Sequence, residues 1–318
     1  MKGVDLSIFQ FDWNAQMYVF FMNADGTIYA RYGSTDSRLL STVAFRRTME
    51  RVLEVHAKSD RDAFKGKRGP ALKWATPEAT PYLASRVGDN PPPRSCIHCH
   101  HVWTAVVRSM IDDGQTIPSN YVWRYPPPEA IGVTLSRDDG SRIAAVKEGS
   151  QAAKAGAREG DVIEAAAGQA IFTPFDLEWA LQGAPDKGEF ELRLRRGEER
   201  VTLKLALDDG WRRAARRPIM GALGLGMRLD VLSADARKDA SIADGKLAIR
   251  VVTVGKSGAA KDAGFKSGDI IVSLDGQEAA MADDELIARI RGKYKQGSKI
   301  TFGVLRGGEK TEIWYEVK

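Results

Sequence analysis

Cysteine is nearly absent from this 318-residue chain: there are two, and both stand in RSCIHCHHVW, residues 94–103, with three of the four histidines. No thiol therefore exists before Cys96 to serve as a redox pair in the N-terminal third. Long apolar runs are lacking too. None approaches the roughly 20 residues of a membrane-spanning helix, so no membrane span is expected. The start, MKGVDLSIFQ, passes from one lysine into a mixed polar and apolar pattern without the apolar stretch of a secretory signal, which reads as a chain cytoplasmic, already processed or cut short at its start. No GxSxG-like nucleophile loop occurs, and the only histidine outside the Cys/His stretch, His56, ends a helical pattern, so no serine protease is expected within these residues.

What is present is ordinary for a globular protein: 43 % hydrophobic and 28 % charged residues, with a net charge of +5. The length suits two or three domains, each with its own core. Basic residues cluster at 65–68 and 212–217 but lack interleaved aromatics, which points to solvated loops or faces and away from nucleic acid.

Residues 1–57 contain two apolar runs flanking Ala24-Asp25-Gly26, a hairpin signal, followed over 36–56 by apolar residues at three- and four-residue spacing, with Asp36 or Ser37 available as N-cap. GVDLSIFQFDWN followed by VFFMNADGTIYARYG resembles the N-terminal part of bacterial thioredoxin/PDZ proteins, some of which are selenoproteins. The resemblance implies a partial thioredoxin-like unit. Its redox half is missing, so Asp12, the aromatic pairs and Tyr29 read as core and turn residues.

Residues 58–128 form a second piece. Pro91-Pro92-Pro93 and Pro126-Pro127-Pro128 bracket the cysteines as stiff linkers, and residues 101–112 suit a short helix. Cys96-Ile97-His98-Cys99-His100 matches CxxCH, in which two thiols add to the vinyl groups of a c-type haem and the adjacent histidine meets the iron. Haem c would then be the cofactor, held by Cys96, Cys99 and His100. Trp103, Val102, Val106, Tyr121, Trp123 and Tyr125 are available to cover it, and no sixth ligand is evident. Three alternatives stay open: a zinc clip of Cys96 and Cys99 with His98, His100 or His101; thiol-disulfide exchange; and two unmodified cysteines.

The remainder is a repeat. GSQAAKAGAREGDVIEAAAGQ recurs as KSGAAKDAGFKSGDIIVSLDGQ, matching Gly156 with Gly264, Gly160 with Gly268, Asp161 with Asp269 and Gly168 with Gly276. Each copy continues with a helical pattern, 175–181 or 284–290, and a hairpin. The wording resembles bacterial PDZ modules, assigned to residues 129–210 and 220–318. That resemblance implies binding of protein or peptide C-termini as an added strand, with the carboxylate held by backbone N–H groups of a glycine loop. By position those loops are Ile131-Gly132-Val133 and Leu223-Gly224-Leu225-Gly226. The second copy has room for an extra short helix, LSADARKDASIADGK.

The reading is thus an α+β multidomain chain: a partial thioredoxin-like hairpin-helix unit, a CxxCH linker segment and two tandem PDZ-like domains. The function expected from it is electron transfer or redox sensing outside the cytoplasm, periplasmic or otherwise, with a redox partner and PDZ-bound protein partners. The alternatives are a zinc-clipped PDZ scaffold and a thiol-disulfide oxidoreductase.

Overall fold

The computed structural model describes residues 1–318 apart from 14, 35–39, 59–71, 88–95 and 215–222. Three expectations fall outside the described residues: the first proline run, the basic stretch 65–68 and N-capping by Asp36 or Ser37. Two compact units form, one of Met1–Ala105 with Trp123–Arg217, the other of Val106–Val122 with Pro218–Lys318.

Strands β1 (Met17–Met22) and β2 (Ile28–Ser34) make the expected antiparallel hairpin. Its turn is locked by the Asn23 side chain, which accepts from the backbone N–H of Asp25 and Thr27. Helix α1 (Thr42–Ala57) follows, with Ser41 as N-cap accepting from Ala44 N–H. A two-stranded ribbon needs a partner to be stable. Here the partner is not the rest of a thioredoxin-like sheet: among the described residues β1 and β2 pair only with each other. Tyr29, Ala30 and Val52 pack with Ala170 and Phe172, and Tyr32 and Ala44 with Phe175, all three partners lying in the first repeat module. The thioredoxin-like unit is therefore not shown. Hairpin and helix belong instead to the same compact unit as that module.

Helices α2 (Pro81–Val87), α3 (Cys99–Asp112) and α4 (Ser119–Val122) come next. The third starts at Cys99, earlier than its apolar spacing predicts, and buries Val102, Trp103, Ala105, Val106, Val107 and Ile111.

In the first module a 3-10 turn, Pro128–Ile131, leads into β3 (Val133–Leu135) and β4 (Ile143–Val146), which pair with each other. Then come α5 (Gln151–Ala155), β5 (Val162–Ala166), β6 (Gln169–Ala170), α6 (Pro174–Gln182), β7 (Gly188–Arg196) and β8 (Glu199–Leu207). The sheet order is β6-β5-β7-β8. Strand β7 alternates strictly, turning Phe190, Leu192 and Leu194 onto Leu177, Leu181, Ile163 and Ile131 and its charged residues outward. Helix α6 starts on a capping box between Thr173 and Asp176.

The second module runs β9 (Met227–Val231), α7 (Ala234–Asp239), β10 (Ile249–Val254), α8 (Ala259–Asp262), β11 (Ile270–Leu274), α9 (Asp283–Lys293), β12 (Lys299–Arg306) and β13 (Glu309–Glu316). Its sheet order is β13-β12-β11-β10-β9, which puts β9 at one edge, and α7 is the extra helix expected from the longer second copy.

The repeat extends to individual bonds. Arg196 grips Asp161 with two hydrogen bonds of 2.8 Å and also donates to Gly156 O; Arg306 grips Asp269 with two of 2.7 Å and donates to Gly264 O. Each aspartate also accepts from the backbone three residues earlier, Arg158 or Lys266. Burial works against both carboxylates, yet these hydrogen bonds hold their pKa values below the ordinary one. The expected solvated face at 212–217 is corrected at its first residue. Arg212 is buried, donating to Asp186 and to the carbonyls of Leu181, Gln182 and Ala184, and so closes the C-terminal end of α6.

Candidate functional site

The glycine loop of the second module is built from behind. Buried Arg291, on α9, donates from Nε to Leu223 O at 3.1 Å and from Nη2 to Gly224 O at 2.8 Å. Tyr315 Oη donates to Leu225 O at 3.1 Å, and Gly255 N–H to Gly226 O at 2.8 Å. All four carbonyls of the loop are thereby tied down. Across a trans peptide a carbonyl and the following N–H point in opposite directions. The N–H groups of Gly224, Leu225 and Gly226 therefore face away from Arg291 and Tyr315, and among the described residues none of the three has a hydrogen-bond partner. Consecutive outward N–H groups form a concave anion site. Burial lowers the guanidinium pKa of Arg291 and pushes the Tyr315 phenol up, and the interaction between the two groups opposes both shifts.

Strand β9 continues from this loop. One edge pairs with β10; at the other, among the described residues, no strand pairs with it. Helix α9, bearing buried Leu286, Ile287 and Ile290, packs beside it. Its C-terminal end is fixed by Ile117 N–H, which donates to Arg291 O at 2.8 Å. An anion site at the head of an unpaired strand edge, flanked by an apolar helix, suits an extended chain whose last carboxylate sits on the loop.

The first module has the same parts arranged differently. Gly132 corresponds to Gly226: its carbonyl accepts from Lys147 N–H as that of Gly226 accepts from Gly255. In this loop, however, Gly132 N–H turns inward onto Glu129 O at 3.0 Å, closing the 3-10 turn, and Ala130 N–H is held by Pro127 O at 2.9 Å. Ile131 and Val133 are fully buried core residues. Where Ile290-Arg291-Gly292 supplies the guanidinium, this module has Leu181-Gln182-Gly183, and Gln182 Oε1 accepts from Tyr125 N–H. Helix α6 is also covered: Arg31 lies 4.1 Å over the Trp179 ring and Tyr32 packs edge-on against Phe175. The roles of Arg291, Gln182 and Tyr315 are absent from the sequence reading. Laying the two helices of the repeat side by side is the signal that exposes the first two.

The Cys/His stretch is superficial. Cys96, His98 and His100 are exposed, and Cys99, half-buried, points its thiol at Ala15 O, 3.8 Å away. The rings of His98, His100 and His101 lie against one another, with centroids 4.4–5.6 Å apart. Among the described residues no three of His, Cys, Asp and Glu are grouped so as to hold a metal ion. The side chains expected to cover a haem are largely committed elsewhere. Val102, Trp103, Val106 and Tyr125 are buried, and Trp103 stacks on Arg124, which is itself paired with Asp12 at 3.1 Å. His56 is also occupied, with Nδ1 3.0 Å from Tyr29 Oη.

Comparison with known proteins identifies the repeat. The family description "PDZ domain" matches residues 142–196 and residues 221–317, and the chain carries two PDZ domains. A curated relative, "Probable periplasmic serine endoprotease DegP-like" of Pseudomonas savastanoi pv. phaseolicola (strain 1448A / Race 6), is 30 % identical over 190 residues, 58 % of this chain and 38 % of that protein. The chain thus spans well under half the length of that relative. Among solved structures, "HtrA-type protease AlgW with decapeptide" is 27 % identical, covering 29 % of this chain and 28 % of that one with a TM-score of 0.25. "Crystal Structure of the HtrA3 PDZ Domain Bound to a Phage-Derived Ligand (FGRWV)" is 20 % identical, covering 29 % and 82 % with a TM-score of 0.25. These findings overturn the expected haem-based electron transfer or redox sensing, along with the zinc-clip and thiol-oxidoreductase alternatives. The curated relative is described as a DegP-like serine endoprotease, and the matching family models are PDZ domains.

Proposed function

We propose that this chain recognises peptides: it takes an extended segment of a partner protein along the free edge of β9, with the segment's terminal carboxylate on the N–H groups of Gly224, Leu225 and Gly226. The observation that carries this reading is the fastening of four consecutive loop carbonyls from behind, which leaves the N–H groups outward. Charge-assisted hydrogen bonds to the carboxylate supply orientation, and main-chain pairing along β9 supplies affinity. The partner is a protein exposed outside the cytoplasm, in keeping with a relative described as periplasmic.

We assign these residues binding and not cleavage. A serine protease needs a histidine poised on a serine, and among the described residues His56 is engaged by Tyr29 while the other three histidines lie on one another. Calorimetric titration of the full chain with a pool of N-acetylated heptapeptides, six random positions followed by C-terminal valine, tests the reading. Saturable binding at micromolar concentrations is expected, and no heat up to millimolar peptide refutes it.

A further inference from the structure

From the contrast between the two glycine loops we infer that the modules divide their labour: only the second accepts a free carboxylate, and the residue at the Arg291/Gln182 place in the repeat decides which module does. This rests on the peptide-binding reading above and assigns its ligand class module by module.

The carbonyl three residues before the loop's last glycine is the switch point. In the second module it is Leu223 O, and Arg291 Nε takes it. In the first it is Glu129 O, and with no guanidinium there the loop's own Gly132 N–H takes it instead. A carbonyl satisfied by a side chain leaves the glycine N–H free for an anion; a carbonyl satisfied by the glycine removes that donor. Gln182 does not substitute for the arginine, because its side-chain oxygen is spent on Tyr125 N–H and an amide carries no positive charge. Arg291 is thus a positioning residue. It stands behind the loop and sets the direction of the N–H groups without facing the ligand.

The neighbours of the two helices agree with this division. The α6 face carrying Phe175, Asp176 and Trp179 is covered by Tyr32 and Arg31 of the N-terminal hairpin. Between β9 and α9 no corresponding hairpin stands among the described residues.

The test uses the full chain labelled with nitrogen-15 at glycine and the same heptapeptide pool in two forms, free acid and C-terminal amide. The free-acid pool is expected to shift the amide signals of Gly224 and Gly226 and leave Gly132 unmoved, with the amide pool about tenfold weaker at the same two glycines. Arg291→Gln is expected to reduce the free-acid affinity to that of the amide, and Arg291→Lys to keep part of the difference. Unchanged amide signals of Gly276, Gly297 and Gly307, in the second module but away from the loop, report that each variant is folded, and the acid-against-amide comparison needs no variant. Equal response to acid and amide, or a carboxylate-dependent shift of Gly132, overturns the division of labour while leaving peptide binding intact. No response to either pool removes both.

Discussion

Arg31 and Asp176 meet in the interior: the backbone N–H of Arg31 donates to Asp176 Oδ1 at 2.9 Å, and Arg31 Nη1 lies 3.6 Å from the same oxygen, with neither side chain more than 1 % exposed. Thr173 completes the junction by donating from Oγ1 to Arg31 O at 2.6 Å. The capping aspartate of α6 is thus also the anchor of the N-terminal hairpin. Among the described residues Arg31 Nε and Nη1 have no hydrogen-bond partner, and the guanidinium is met by this carboxylate and by the Trp179 face.

Asp176→Ala removes the acceptor of the Arg31, Phe172 and Thr173 N–H groups and leaves the guanidinium buried without a partner, and a loss of about 3–5 kcal/mol is expected in urea unfolding. The double variant Asp176→Ala with Arg31→Met should recover part of it. Losses that simply add would show that the two residues act independently.

Burial pushes Asp176 up to about 6 from its ordinary 3.8, against the opposing pull of Arg31 and the hydrogen bonds it accepts. The folded state therefore binds this proton more tightly than the unfolded one, and the stability it contributes is present below pH 3.8 and lost as pH rises through 6. The stability difference between wild type and Asp176→Asn, measured at intervals from pH 3.5 to pH 7, should shift against the wild type across that window by roughly 3 kcal/mol. A flat difference would place the titration elsewhere.

Asp161 and Asp269 have the opposite sign. Their folded pKa values lie below the ordinary one, so their contribution is present above pH 3.8 and fades as pH falls through the folded values. Asp161→Asn and Asp269→Asn should each lower the urea midpoint at pH 7 and lose that deficit under strong acid. An equal deficit at both pH values would assign the effect to packing.

The two loop glycines should respond unequally to alanine. At Gly132, with φ +88°, a Cβ would stand 2.1 Å from Ser150 Cβ, whereas at Gly226, with φ +79°, the nearest atom is Ala260 N at 3.4 Å. Left-handed strain of about 1–3 kcal/mol applies to both, and only the first adds a clash. Thermal unfolding should therefore place Gly132→Ala well below Gly226→Ala. The reverse order would contradict the geometry.

Iodoacetamide should label Cys96 before Cys99, since the first thiol is exposed and the second half-buried against Ala15. Peptide mass spectrometry over a time course gives the order.

The repeat was legible because its turns demand particular residues. Glycine at 156 and 264, and aspartate at 161 and 269 gripping an arginine at the end of the strand, recur wherever the backbone repeats. Strand alternation in β7 and the hairpin turn at Asn23 are equally local and equally readable. Two things were not. The seat of the N-terminal hairpin depends on Arg31 meeting Asp176 from far along the chain, and a lone hairpin-helix pattern is compatible with several partners. The state of each glycine loop depends on one side chain of a distant helix, so Gly132 and Gly226 look alike in sequence and differ in hydrogen bonding. CxxCH is local in the same way: five residues specify an attachment chemistry but say nothing of a pocket, and Val102, Trp103, Val106 and Tyr125 are buried in the fold.

Because residues 106–122 belong to one unit while the chain on either side of them belongs to the other, the backbone changes unit three times between its ends. A single scission by a proteinase cannot set either unit free as one piece. A fragment begun at Pro218 would discard Ile117, whose N–H holds the end of the helix carrying Arg291. The two PDZ domains are copies of one another, yet the units that hold them are each assembled from two separate stretches of chain.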